Sequence, residues 1–135
     1  MRKNISTNTP SEKFVGYSRA VRVRNTIYIS GTTSQNEKGE IIGNTVGGQT
    51  KFIIKKIKSV LENENFSLND IVETTVYLVD LKNLKDFDKV FKKYFYSINP
   101  TCTLVGINSL VDEKLLIEIS ATAQKEKDEC CGECY

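Results

Sequence analysis

The sequence predicts an α+β domain in which a mixed sheet carries two main helices on one face. Two apolar stripes recur at helical spacing, over residues 45–63 and 81–96. Five further runs alternate or are rich in β-branched residues, as strands are. The order of these segments, ββ-α-β-α-ββ, lets both helices pack on one side of one sheet.

Residues 1–14 are polar and read as an arm that docks late or not at all. Ala20-Val21-Arg22-Val23 and Thr26-Ile27-Tyr28-Ile29-Ser30 alternate as strands, with Arg24-Asn25 at the turn between them and Gly31 ending the second. Thr32 to Gly43 is loop-like, with Asn36-Glu37-Lys38-Gly39 as its turn signal. Val46, Thr50, Ile53, Ile54, Ile57, Val60 and Leu61 stripe the first helix. Ser67-Leu68-Asn69-Asp70 opens a short helical turn, and Ile71 to Val79 is a long β-rich run. Leu81, Leu84, Phe87, Phe91 and Phe95 stripe the second helix, which Asn99-Pro100 breaks. Thr101 to Ile107 is the next strand, Ser109 to Lys114 a loop, and Leu115 to Ala123 the last strand.

A chain of 135 residues is enough for one core, with residues 1–125 as a single domain. It is 39% hydrophobic and 27% charged, with a formal net charge of +2 from 19 basic and 17 acidic residues. That balance gives no electrostatic case for nucleic acid. The apolar runs are too short for a membrane span, and the N-terminus has no apolar signal segment, so the expected compartment is the cytoplasm. The chain has no histidine. Catalysis would therefore rest on carboxylates, Tyr, Lys, Cys, backbone groups or water. The open face of the sheet needs a cover, and association of copies is the usual one.

Glu118 is the candidate with the most chemistry. It interrupts the last strand, whose one face is Leu115, Ile117, Ile119, Ala121 and Ala123 and whose other is Leu116, Glu118, Ser120 and Thr122. A carboxylate beside such a core reaches water, finds a partner or lines a site.

Gly16-Tyr17-Ser18-Arg19-Ala20-Val21, Ile27-Tyr28-Ile29-Ser30-Gly31, Asp70 to Leu78 and Ile117-Glu118-Ile119-Ser120-Ala121 together resemble the RidA/YjgF/YER057c/UK114 family, over residues 12–125. The resemblance implies a chorismate-mutase-like α+β fold and a homotrimer with clefts between subunits. It also implies deamination of reactive enamines and imines, such as 2-aminoacrylate, with no metal or organic cofactor. A small-molecule imine or enamine and further copies of the chain are then the partners, with neither nucleic acid nor membrane. An imine hydrolyses by adding water and losing ammonia, so the protein need only hold the substrate, place a water and shuttle protons. Glu118 suits the water. Tyr17 suits closing the pocket, although an interface aromatic fits it as well. At Ser30-Gly31 the backbone can approach a ligand closely, although Gly31 can equally just end a strand.

The sequence departs from the family at one telling position. Active members carry an arginine after Pro-Ala that grips the substrate carboxylate. Here Pro100-Thr101-Cys102-Thr103 puts Cys102 in its place, next to Thr103 as a further binding residue. A neutral thiol is a poor substitute for a forked cation, so the expected specificity is altered. Arg19 stands for a frequent Gln and Asp88 for a frequent Asn, both near the expected cleft, and Arg19 is a possible replacement cation. Cleft binding without turnover, and thiol chemistry at Cys102, are the other readings. Lys51, Lys55, Lys56 and Lys58 read as the solvated face of the first helix. Residues 126–135 read as a flexible cysteine-rich tail beyond the family pattern. Its Cys130, Cys131 and Cys134 are spaced for a soft metal or a redox disulfide.

Overall fold

Arg24 turns the chain with a φ of 55°, and this two-residue turn joins the strands Ala20–Val23 (β2) and Thr26–Thr32 (β3) into a hairpin. Ala20 pairs with Ile29 and Val23 with Thr26 in this hairpin. The computed structural model describes residues 1–126, so Cys130, Cys131 and Cys134 lie outside the described residues.

The N-terminal arm is a correction to the sequence reading. Arg2–Ile5 form a strand (β1) antiparallel to β2, and Pro10–Val15 form a short helix (α1) that ends at Gly16, whose φ is 93°. The segment has no apolar period because its order comes from other sources. Backbone ladder bonds to β2 are indifferent to side chain. Lys3 Nζ also meets Glu64 Oε2 at 2.7 Å, and the Thr7 hydroxyl donates to Glu12 Oε2 at 2.7 Å.

Thr45 caps the main helix Val46–Glu62 (α2) by accepting the Gly48 N–H. Ile71–Leu78 (β4), a 3-10 turn at Leu81–Asn83, the helix Leu84–Phe95 (α3), Thr101–Gly106 (β5) and Ile117–Gln124 (β6) complete the domain. The six-stranded sheet runs β1-β2-β3-β6-β4-β5, with β4 and β5 parallel and the other pairs antiparallel.

Both helices cover one face, as the stripes predict. Ile53, Ile54, Ile57 and Leu61 of α2 meet Ile27, Ile29, Val76, Leu78, Ile117 and Ile119 of the sheet, all essentially buried. The mutually tilted rings of Phe87, Phe91 and Phe95 line the core side of α3, their centroids 5.1 and 4.5 Å apart. Asp86 locks the two helices by accepting the Gly47 N–H at 2.7 Å. The other face of the sheet is open. It carries Tyr28, Thr75, Tyr77, Glu118 and Ser120, and Tyr28 remains 54% exposed.

Candidate functional site

The site begins with a count of residues. Ile29 pairs with Ala121 and Thr32 with Ile119, so β3 holds one more residue than β6 between those two pairs. This bulge falls at Ser30–Gly31, one strand away from Glu118, which pairs with Tyr77 on its other side. Gly31 does not end the strand as its residue type suggests; the strand runs on to Thr32. Having no side chain, Gly31 lets the Glu118 carboxyl lie against its backbone. A Cβ on Gly31 would sit 2.7 Å from Glu118 Cδ.

Arg19, immediately before β2, organises the wall of the site. It is 3% exposed. Its Nη1 donates to the Gly31 carbonyl at 2.8 Å and to Thr32 Oγ1 at 3.2 Å, and its Nη2 donates to the Tyr17 hydroxyl at 3.1 Å. Its Nε lies 3.5 Å from Oε2 of Glu12, itself 4% exposed. Tyr17 in turn shares a 2.7 Å hydrogen bond with Ser11 Oγ. Arg19 therefore fixes the bulge, the tyrosine and α1 together.

Ser11, Tyr17 and Arg19 line a pocket of about 270 Å³ with Gly31, Gln35, Lys56 and Glu118, and with exposed Val15 and Val111 on its wall. Burial raises the Glu118 pKa, against the opposing pull of Arg19. Burial also pushes the Lys56 ammonium down to about 8; Arg19 adds to this effect, and Glu12 and Glu37 oppose it. Burial would lift Glu12 too, but hydrogen bonds from Thr7 and Ser6 and the charge of Arg19 outweigh it and lower its pKa. A wider groove of about 830 Å³ runs beside α1, past Ile5, Phe14 and Tyr17, and does not reach Glu118.

Of the residues singled out in the sequence, Tyr17, Arg19, Gly31 and Glu118 converge on this pocket. Ser30 ties the wall from behind: its hydroxyl donates to the Ser18 carbonyl at 2.8 Å and its N–H to the Arg19 carbonyl at 2.9 Å. Cys102 and Thr103 do not join it within one chain. They are exposed on β5, two strands beyond β6, with Cys102 opposite Thr74 and Thr103 opposite Thr75. Asp88 is exposed on α3, one residue past buried Phe87 and so turned about 100° away from the core stripe; it too lies apart from the pocket.

Lys56 is a second correction: it lines the pocket instead of sitting on the solvated face. Its spacing held the clue. Gln49, Ile53, Lys56 and Val60 follow the i, i+4, i+7 rhythm of a buried stripe, and the other three are buried. Among the described residues no cluster of three or more His, Cys, Asp and Glu could hold a metal ion, and no helix is long and apolar enough to cross a membrane.

One helix-backed mixed sheet, with an acid-bearing pocket built at a bulge, defines the class: an α+β cleft protein. The family model described as Endoribonuclease L-PSP matches residues 7–125. A RutC family protein of Pyrococcus abyssi is 37% identical over 128 residues, which cover 93% of this chain and all of that one. The crystal structure of a YjgF/YER057c/UK114 family member from Mycobacterium tuberculosis superposes with a TM-score of 0.84 at 30% identity, covering 93% of this chain and 100% of that one. RidA from an Antarctic Psychrobacter gives a TM-score of 0.75 at 30% identity over 81% of this chain and 88% of that one. The chain belongs to the RidA/YjgF/YER057c/UK114 family.

Proposed function

We propose that the chain hydrolyses a small reactive imine or enamine to a carbonyl compound and ammonia, in a cleft completed by further copies of itself. The observation that carries this reading is the Glu118 carboxyl, half-buried against Gly31 with its pKa raised, inside a pocket sized for a metabolite. A carboxyl poised nearer neutrality serves both halves of the reaction. Protonated, it gives a proton to the enamine carbon and generates the iminium ion. Ionised, it takes a proton from water as the oxygen bonds to the iminium carbon, passes it to the nitrogen as the C–N bond breaks and ammonia leaves, and recovers the hydroxyl proton as the carbonyl forms. Tyr17, held by Arg19 and Ser11, borders the substrate, and the Gly31 backbone forms the floor.

Cys102 gives this reaction its altered specificity, since the usual carboxylate-gripping arginine is missing from that position. In a homotrimer, β5 of a neighbouring copy would bring its Cys102 and Thr103 to the mouth of the cleft. A trimer that binds a metabolite without turning it over is the second reading, favoured by that same missing arginine. Thiol chemistry at exposed Cys102 is a third.

The test is ammonia release from freshly generated 2-aminoacrylate and from imines without a carboxylate. Glu118→Gln should lower the rate by about a hundredfold or more. An unchanged rate in that variant would remove Glu118 from the chemistry. No turnover of any imine, with ligand-dependent thermal stabilisation retained, would leave the binding reading.

A further inference from the structure

Lys56 is the pocket group that the proposed reaction leaves unused. Its Nζ donates to Thr9 Oγ1 at 2.7 Å and to the Gln35 carbonyl at 2.9 Å. An ammonium has three N–H donors; the third meets no acceptor among the described residues. Nor does any described carboxylate come within 4.0 Å of it, the ion pairs being those of Lys3, Arg19, Arg22 and Lys82. Glu12, the acid nearest the wall, is already committed to Arg19 and Thr7.

Arg19 is paired with Glu12, which leaves Lys56 as the pocket cation with no ion pair and Glu118 as the pocket carboxylate with none, while Glu12 and Glu37 act on Lys56 from beyond ion-pair distance. The Lys56 ammonium therefore sits in a partly desolvated space with no carboxylate in ion-pair contact among the described residues. A small anion supplies that contact and gives the spare N–H its acceptor. The two donors are also unequal. Arg19 is pinned as a planar fork by hydrogen bonds to Glu12, Gly31, Thr32 and Tyr17, whereas Lys56 carries its ammonium on a flexible four-carbon stem with two hydrogen bonds.

Resting on the reading of this pocket as the reaction site, we propose that Lys56 is the carboxylate-binding residue of this chain, compensating from α2 for the arginine absent at Cys102. The substrate class that the family resemblance implies, a small 2-imino acid with one carboxylate, then stays within reach of this chain. This deepens the altered specificity: the grip comes from another wall of the cleft, so the substrate lies in a different orientation.

The experiment is calorimetric binding of pyruvate, the oxo acid such a substrate would yield, to the full chain at pH 7, with acetone as the carboxylate-free control. Melting curves on each variant establish that it is folded. Pyruvate should bind wild type, bind Lys56→Gln about tenfold more weakly or worse, and bind Lys56→Arg nearly as well as wild type. The response to acetone should be the same for all three. Pyruvate binding unchanged in folded Lys56→Gln, or no pyruvate binding by a wild type that still releases ammonia from 2-aminoacrylate, would overturn the assignment. Failure of the deaminase reading looks different: no ammonia from any imine, with pyruvate binding still dependent on Lys56.

Discussion

A methyl group at position 31 would land on the Glu118 carboxyl, the far end of a side chain able to swing aside. Gly31 has no positive φ, so alanine strains no backbone there. Gly31→Ala should therefore leave the melting temperature within a few degrees of wild type and cut ammonia release by about tenfold or more, because a shift of about 1 Å in a catalytic group is costly. Lys56 makes a prediction of the opposite kind, read in pH. Its folded pKa of about 8 lies below the ordinary 10.5. Between those values the unfolded chain holds a proton that the folded chain has lost, so this group's contribution to stability rises with pH across the window. Pyruvate binding should move the other way and weaken as pH climbs past about 8. Arg19, Glu12 and Glu37 act on the ammonium, and Glu118 and Tyr17 line the same pocket, so the control is Lys56→Arg, whose permanent charge should flatten the step in a pH series of binding isotherms.

At the scale of elements, the N-terminal β1–α1 unit builds the wall that the central elements lack. Its keystone is Glu12, buried with Arg19 and taking the Thr7 hydroxyl. Glu12→Ala would strand a buried guanidinium, which costs about 3 kcal/mol. That corresponds to a melting temperature lower by roughly 10 °C, measurable by calorimetry. This unit is also where sequence reading runs out. The central strands and both long helices are legible because Ile27, Ile53, Ile57, Val76, Phe87 and Ile117 recur at the period of their element and bury an apolar face. α1 spans six residues, and the one it buries is a glutamate, so it leaves no periodic trace. The pocket is legible in the same uneven way. Glu118 announces itself as a carboxylate in an apolar strand, Tyr17 and Gly31 come with the family pattern, and Arg19 stands out as a departure from it. Lys56 hides because a lysine among other lysines reads as solvent-facing, even on a buried stripe.

For the molecule as a whole, the open sheet face sets the expectation. Tyr28 and Val23 stand on it, 54% and 39% exposed, and Val105 of β5 is 41% exposed. Apolar surface of this kind is normally covered by a partner. Sedimentation should return three times the 15.2 kDa chain mass, and Tyr28→Arg should shift the species toward monomer while ammonia release falls with it. A monomeric wild type with full activity would refute the shared cleft. The bulge at Ser30–Gly31 also governs how this protein can change over descent. Deleting one residue there would reverse the facing of every later residue of β3 and withdraw the backbone from Glu118. The turn at Asn36–Gly39, farther along the same connection, can lengthen or shorten with little effect. Insertions and deletions among related chains should therefore gather at that turn and spare the two-residue interval between Ile29 and Thr32, a bias that measures how strongly selection holds the pocket open.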